Sequence, residues 1–247
     1  AYLTATDYDG DTVTGVEAGS FTITIVDDIP IAAPEARGIH ATVDESGLNS
    51  ALAADGLAGV DMSDGNPDNA DDSAGTSDED SGSGATSVAT LFSIGADEDD
   101  GDATAQVSYG FVTDVSALDA LSLTSQGDAV TWTSDGQTLT ATADAGGADE
   151  RVIMTVNITA ATGDWAVDLD DQFDHVGPQD PGVENTNLEG TGDPGSIDLS
   201  AYLTATDYDG DTVTGVEAGS FTVTIVDDVP IAAPEARGIH ATVDESG

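Results

Sequence analysis

The chain has 247 residues, of which 49 are Asp or Glu and only 3 are Lys or Arg, so its formal net charge at pH 7 is -46. Such a charge excludes nucleic acids and anionic membrane surfaces as direct partners, because both would be repelled over a Debye length of about 10 Å. Cysteine is absent, which excludes disulfides and thiolate chemistry. Cations are therefore the natural partners of this chain.

High net charge is also typical of disordered proteins. However, 38% of the residues are hydrophobic and several segments show regular patterns, so we expect a folded chain. No run of about 18 apolar residues predicts a membrane span. The first residues also lack the charged, apolar and cleavage regions of a signal peptide. We therefore interpret the sequence as a piece cut from a longer protein.

A repeat with a period of 200 residues organises the chain. Residues 1–47 and 201–247 carry the same sequence apart from two positions, where Ile23 corresponds to Val223 and Ile29 to Val229. Near-identity over this length indicates a tandem array of similar units. The chain then holds one complete unit with a piece of each neighbour.

The segment FTVTIVDDVP at 221–230 predicts where one unit ends. Its apolar side chains alternate with threonines, as in a half-buried strand, and a proline then stops the strand. We place the boundaries near Asp28 and Asp228. Residues 1–28 are then the C-terminal strands of a preceding repeat, residues 29–230 are one complete repeat, and residues 231–247 are the first strand of a following repeat.

Period-two patterns within the complete unit predict further strands, separated by Gly, Asp and Asn turns. These segments lie at 105–112, 129–133, 137–143, 151–159 and 164–169. The helical pattern is limited to two short segments, at 50–60 and 115–122. The pattern predicts an all-β fold, an antiparallel β-sandwich with Trp132 and Trp165 in its core.

Two acidic segments have almost no apolar pattern. Residues 63–87 and 185–196 are rich in Gly, Ser, Asp and Asn. We interpret the first as a flexible solvated loop, with a site for several ions as the alternative, and the second has the same ambiguity.

The sequence DYDGD crowds three carboxylates into five residues, and it occurs once in each copy of the repeat. The aspartates are Asp7, Asp9 and Asp11 in the first copy and Asp207, Asp209 and Asp211 in the second. The glycine between the last two lets the backbone turn so that the carboxylates converge. Calcium prefers such oxygen ligands in a flexible geometry, and bound ions would replace repulsion with attraction. The spacing differs from that of an EF-hand, which needs its glycine at loop position six.

Two further acidic groups predict calcium ligands. The first group is ADEDDGD at 96–102, with Asp97, Asp99, Asp100 and Asp102. The second lies at each unit boundary, where Asp27 and Asp28, or Asp227 and Asp228, precede a segment that contributes Glu45 or Glu245. Ligands from both sides of a boundary would clamp neighbouring units together. The alternative is a solvated acidic surface of the kind that proteins from salty habitats carry, but these acids cluster at turns and strand ends.

Catalytic motifs are not evident in the sequence. His40 and His240 are one repeat position seen twice, and we expect His175 to cap or pack a turn. No GxSxG elbow, HExxH helix or phosphate-binding glycine loop occurs. A hydrolase with a carboxylate pair remains an alternative, but with so many acids no pair stands out. The sequence predicts no enzyme.

The order of the motifs resembles the tandem extender repeats of giant RTX adhesins, which Gram-negative bacteria export by type I secretion. The motifs are VDESGL at 43–48, LFSIGADEDDGD at 91–102, DWAVDLDDQFDH at 164–175, ATDYDGDT at 205–212 and FTVTIVDDVP at 221–230. The resemblance implies an Ig-like β-sandwich stabilised by several calcium ions, with calcium ligands among Asp207, Asp209 and Asp211 and at the linker residues Asp227 and Asp228. The unit of 200 residues is longer than is usual in that family.

The function implied by the resemblance is a calcium-rigidified spacer on the cell surface. Its partners would be neighbouring repeats of the same chain, joined through calcium-bound linkers. The distal ligand would be bound by another part of the parent protein. The alternative is a calcium-dependent module that itself binds a carbohydrate or a surface.

Overall fold

A computed structural model describes residues 4–15, 21–33, 38–48, 78–96, 107–177 and 185–228. These residues form strands, turns and loops, with helix limited to short 3-10 segments. The 3-10 segments are Glu45–Gly47, Gly84–Thr86, Val88–Leu91, Ser116–Leu121 and Ser200–Tyr202. Among the described residues, none forms a helix long and apolar enough to cross a membrane. The fold is all-β, as the sequence predicts.

The strands follow one another in chain order and belong to several sheets. They are β1 (Thr4–Thr6), β2 (Thr12–Thr14), β3 (Ile31–Ala32), β4 (Ile39–Asp44), β5 (Glu79–Gly82), β6 (Phe92–Ser93), β7 (Ser108–Phe111), β8 (Thr124–Ser125), β9 (Asp128–Ser134), β10 (Thr138–Ala143), β11 (Arg151–Ile158), β12 (Trp165–Leu169), β13 (Ile197–Asp198), β14 (Leu203–Thr206), β15 (Thr212–Thr214) and β16 (Phe221–Val226).

The largest sheet has six antiparallel strands in the order β5-β12-β11-β10-β9-β8. Its central strands coincide closely with the predicted strands, because alternating apolar and polar side chains suit a sheet with one buried face. In β10, for example, Leu139, Ala141 and Ala143 are buried while the threonines between them are half-buried. The sequence prediction of these strands is confirmed.

A second sheet contains a parallel pair that the sequence did not predict. Its order is β13-β16-β4, and β16 runs parallel to β4 with Phe221 opposite Ile39 and Val226 opposite Asp44. The expectation of a purely antiparallel arrangement is therefore wrong at this pair. The alternation of side chains is the same in both directions, so the pattern alone cannot distinguish them.

The remaining sheets are small. Strands β15, β14 and β7 form one antiparallel sheet, in which Leu203 lies opposite Phe111. Strand β3 pairs with β6, and β1 pairs with β2.

The structure differs from two predictions made from the sequence. Residues 79–82 and 84–86, at the end of the predicted flexible segment 63–87, form β5 and a 3-10 turn, so the prediction of a solvated loop is wrong there. The helical pattern at 115–122 gives only a 3-10 segment with Leu118 buried. The other helical pattern, at 50–60, lies outside the described residues.

A continuous hydrophobic cluster connects the sheets. Trp132 and Trp165 are both buried in it, which confirms the prediction for these residues. The Trp165 indole N–H donates a hydrogen bond of 2.8 Å to the Thr86 carbonyl, and its ring meets Phe221 edge-on at 5.6 Å between centroids. The indole is therefore both packed and satisfied as a donor.

The two copies of the repeated sequence have opposite environments. Phe221 and Ile225 are 0% exposed, whereas their counterparts Phe21 and Ile25 are 64% and 89% exposed. Strand β14 pairs with both β15 and β7, whereas the equivalent β1 and β2 pair only with each other among the described residues. The segment 203–226 of the second copy belongs to the core, whereas the described residues of the equivalent segment 4–26 lie outside it.

This difference gives a matched test of the core. Phe221→Ala should lower the free energy of unfolding by about 3–5 kcal/mol, because it removes a fully buried ring. Phe21→Ala should change it by no more than about 0.5 kcal/mol, because that ring is already in solvent. Urea denaturation followed by tryptophan fluorescence measures both values. Equal losses in the two variants would mean that the first copy also belongs to the core.

Candidate metal centre

The loop between β14 and β15 gathers the aspartates of the second DYDGD sequence. Gly210 adopts a positive φ of 107°, which other residues seldom adopt, and this lets the loop close. The Asp207 Oδ1 atom accepts hydrogen bonds from the backbone N–H groups of Gly210 at 3.0 Å and Asp211 at 2.7 Å. Asp207 therefore serves as the organising residue of the loop.

One oxygen of Asp207 is left without a partner. The residue is only 2% exposed, and its Oδ2 atom is buried with no hydrogen bond. A buried carboxylate oxygen without a donor is costly, by roughly 1–3 kcal/mol or more for a charged group. The neighbouring Asp209 side chain contacts Asp207 and cannot relieve this cost while both are ionised. The contact with Asp207 is the main reason that the pKa of Asp209 is raised, followed by burial and the nearby charge of Asp27.

Asp27, next to the predicted boundary, contributes to the same place. Carboxylate oxygens of Asp27, Asp209 and Asp211 all lie within 4.8 Å of one another. The next residue, Asp28, accepts a hydrogen bond of 2.8 Å from the backbone N–H of Ala96. Residues from the two sides of the predicted boundary thus meet at this loop.

The first DYDGD sequence has the same internal geometry in an exposed hairpin. Asp7 Oδ1 accepts hydrogen bonds from the N–H groups of Gly10 at 3.2 Å and Asp11 at 2.9 Å. Oxygens of Asp7, Asp9 and Asp11 also lie within 4.8 Å of one another. The contact with Asp9 is the main reason that the pKa of Asp7 is lowered. Unlike Asp207, Asp7 is exposed.

A second group forms where β4 and β16 end. These strands are parallel, so their carboxyl ends lie side by side, and Glu45 and Asp227 follow directly after them. The loop after β12 adds His175, which is held by a single β-bridge to Leu188. Ligand atoms of Glu45, His175 and Asp227 lie within 4.8 Å of one another, and His175 Nε2 is 3.4 Å from Glu45 Oε1.

Burial shifts the protonation of this group. It raises the pKa of Glu45 to about 7, against the opposing effects of His175 and of the Phe173 N–H, which donates to Oε1 at 2.7 Å. Burial lowers the pKa of His175, but the Glu45 carboxylate outweighs this, so the pKa of His175 is raised. Burial is also the main reason that the pKa of Asp227 is raised.

The structure brings most of the described site residues into three groups. Asp27, Asp209 and Asp211 come together beside Asp207, and Asp7, Asp9 and Asp11 come together in the exposed hairpin. Glu45, which the sequence grouped with Asp27 and Asp28, lies beside Asp227, because the parallel strands β4 and β16 end side by side. Asp228 is half-buried beyond β16. The predicted ligands Asp97, Asp99, Asp100, Asp102 and Glu245 lie outside the described residues.

Two features escaped the sequence prediction. His175 was expected to cap or pack a turn, but its side chain is buried beside two carboxylates. Asp78 and Asp170 flank the edge of the six-stranded sheet. Burial is the main reason that the pKa of each is raised, and both also feel the charge of Asp168. Asp168 and Asp170 are close together in the sequence DLDD at 168–171, but Asp78 is distant from them in the chain.

The group beside Asp207 has the chemistry that calcium requires. Its three ligand atoms, from Asp27, Asp209 and Asp211, are all carboxylate oxygens, and the same loop carries the buried Oδ2 atom of Asp207, which has no hydrogen bond. Calcium accepts six to eight oxygens at about 2.3–2.6 Å, including water and backbone carbonyls. The residues present therefore fit a calcium ion.

The Glu45 and His175 shifts predict a dependence of stability on pH. Both groups bind protons more tightly in the folded state, so the stability they contribute is present at low pH. The Glu45 contribution is lost as pH rises from about 4.5 through about 7, and the His175 contribution as pH rises from 6.5 through its raised pKa, by about 1.4 kcal/mol for each pKa unit. Glu45→Gln should remove this dependence of the free energy of unfolding on pH. The variant has no titrating group at position 45, and it loses the carboxylate that raises the pKa of His175.

Urea denaturation between pH 5 and about 8 in the presence of a chelator checks the expectation. The exposed residue Glu217 offers a control, since Glu217→Gln also removes one negative charge but should retain the slope. The expectation fails if Glu45→Gln and the unmodified protein show parallel curves.

Comparisons with known proteins give no match: no protein-family model, no curated protein and no solved structure matches this chain.

Proposed function

We propose that this chain is a calcium-rigidified extender repeat of a large bacterial surface adhesin. Residues 29–230 form one complete unit, residues 1–28 end a preceding unit, and residues 231–247 begin a following one. The observation that carries the proposal is the meeting of Asp27, from the preceding linker, with Asp209 and Asp211 of the complete unit. A cation held there joins two consecutive units.

The fold of the proposed unit is an Ig-like β-sandwich. The six-stranded sheet and the sheet formed by β13, β16 and β4 supply side chains to one hydrophobic cluster, which supports two facing layers. Phe221 of the smaller sheet packs edge-on against Trp165 of the larger one. Such a layered core is typical of sandwiches of this kind.

The tandem arrangement is supported by the two environments of one sequence. Phe21, Ile23 and Ile25 are exposed in the first copy, whereas the corresponding residues of the second copy are buried. The first copy therefore has the side chains of a core strand without the core that would cover them. The remainder of a preceding unit would supply that core.

Calcium gives the array its stiffness in this proposal. Asp27, Asp209 and Asp211 would hold the ion together with the free oxygen of Asp207, and the ion would supply the positive charge that the repulsion between these carboxylates demands. The linker would then be fixed against the unit by two contacts, the ion at Asp27 and the hydrogen bond from Ala96 to Asp28. In this proposal, calcium converts a chain of flexibly linked units into a rigid rod.

The proposal also accounts for the place of action. Extracellular modules commonly bind calcium at about 10⁻⁴ to 10⁻³ M, so the chain would stay loosely folded in a calcium-poor cytoplasm and fold outside the cell. This behaviour suits type I secretion of an RTX adhesin to the surface of a Gram-negative bacterium. The unit acts as a spacer without enzymatic activity, and the distal ligand is bound elsewhere in the parent protein.

Calcium binding should depend on the buried loop. Saturating calcium should raise the free energy of unfolding of the unmodified protein by roughly 1–3 kcal/mol. The double variant Asp209→Asn and Asp211→Asn should lose most of this gain, because the ion loses two charged ligands. Thermal denaturation with calcium and with chelator measures the effect.

The exposed copy of the loop provides the matched control. Asp9→Asn and Asp11→Asn remove the same two charges from the same local sequence, and this variant should keep the gain in stability. A melting temperature of the unmodified protein that is indifferent to chelator would contradict the proposal.

The linker contact should be visible in the dimensions of the molecule. With calcium, Asp27 should hold residues 4–28 close to the unit, whereas Asp27→Asn should release them and increase the radius of gyration. Small-angle scattering of both proteins with calcium and with chelator checks this. Superimposable profiles of the unmodified protein in the two conditions would show that calcium does not fix the linker.

A further inference from the structure

We propose that Glu45, His175 and Asp227 form a binding site for a divalent transition-metal ion of the zinc class, separate from the calcium group at Asp27, Asp209 and Asp211. This site goes beyond the proposed spacer function and involves different chemistry. It lies where the chain leaves the complete unit, at the carboxyl ends of β4 and β16.

The ligand atoms have the spacing of a coordination shell. All three lie within 4.8 Å of one another, and His175 Nε2 is 3.4 Å from Glu45 Oε1. A charge-assisted hydrogen bond would be shorter, at about 2.7–2.9 Å. Two ligands at about 2.0–2.2 Å from a tetrahedral zinc ion are about 3.3–3.5 Å apart. The observed separation therefore matches one edge of a zinc tetrahedron.

The imidazole provides an independent indication of a ligand. The His175 side chain is only 3% exposed, and neither buried ring nitrogen makes a hydrogen bond of normal geometry; Nε2 has only the ion-pair contact with Glu45 Oε1 at 3.4 Å, and the Asn187 backbone also favours the charged ring. Buried polar atoms almost always have partners, and an unpartnered one calls for an explanation such as an ion. A metal ion in contact with one nitrogen would provide that partner.

The charge of the site also favours a cation. Glu45 and Asp227 place two carboxylates beside the ring, and Asp44 lies close enough to raise the pKa of Asp227. Arg151 is the only Lys or Arg in the part of the chain that the structure describes, and it is bound to Asp128 and Asp171. Within that part of the chain, no basic side chain other than His175 itself is available to these carboxylates.

The surrounding structure holds the ligands in place. The Phe173 N–H donates to Glu45 Oε1 at 2.7 Å, and the Asp227 N–H donates to the Asn185 carbonyl at 2.9 Å. The Asn185 amide in turn donates to the Val176 carbonyl at 3.2 Å, next to His175. These bonds connect the ends of two strands with the loop that carries the imidazole. A bound ion would connect the same three segments directly.

The choice of metal follows from the nitrogen ligand. Calcium and magnesium take oxygen ligands, whereas zinc and its neighbours accept imidazole together with carboxylates. Three protein ligands leave a fourth position for water. We therefore expect the site to prefer zinc even when calcium is in large excess.

Zinc titration of the full, tag-free chain tests the proposal. The protein is first dialysed against chelator and then titrated by calorimetry in about 1 mM calcium, which occupies oxygen-only sites. We expect one equivalent of zinc to bind, and His175→Gln to weaken this binding by more than about 100-fold, because loss of a second-shell partner alone costs about 10–100-fold. His40→Gln serves as the control, because His40 is exposed and hydrogen-bonded to Thr222.

A second measurement tests the proposal even if the His175→Gln variant does not fold. In the unmodified protein, NMR of the imidazole groups during the zinc titration should show stoichiometric shifts of the His175 signals, while those of His40 and His240 stay unchanged. The Asp209→Asn and Asp211→Asn variant should lose the effect of calcium but retain zinc binding, so the two proposals fail independently. Unchanged zinc affinity in a folded His175→Gln variant, displacement of zinc by calcium, or absence of the His175 shifts would overturn the proposal.

Discussion

Repulsion between carboxylates is the constraint on which this structure depends. With 49 acidic and 3 basic residues, the chain has to fold while its charges oppose compaction. Two of its acidic groups are partly buried at the margins of the core, at Asp207 and at Glu45. Both are places where a cation would do more than screen charge, because it would replace a buried unfavourable contact with a favourable one.

The sheet could be predicted from sequence where one face of a strand is buried. Alternation of apolar and polar residues located β9 to β12 and β16, because each has one face in the core. Pairing direction was not predictable, since a strand shows the same alternation in a parallel and an antiparallel pair. Composition failed at β5, where Glu79 and Ser81 occupy an edge strand that gains its order from pairing with β12.

The candidate calcium site could be predicted from the sequence where its residues are close together in the chain. The glycine of DYDGD and the aspartate three residues before it specify a tight turn, and the structure shows this turn in both copies. Which acids meet across the chain depends on the fold, so the sequence could not show that Asp27 lies beside Asp209 and Asp211, or that Glu45 lies beside Asp227. His175 was missed because its carboxylate neighbours are distant in sequence. The sequence shows only a lone histidine in a loop, and the tertiary structure places this loop beside the ends of β4 and β16.

The parallel pairing of β4 with β16 has a mechanical consequence. In the proposed repeat, β4 lies near the start of the unit and β16 lies at its end. Tension along the molecule therefore pulls the two strands past each other along their length. Six register pairs, from Ile39 with Phe221 to Asp44 with Val226, share this shear load. The evenly spaced bonds of a parallel ladder must then break together, so the unit resists stretching far better than one whose terminal strands unzip pair by pair.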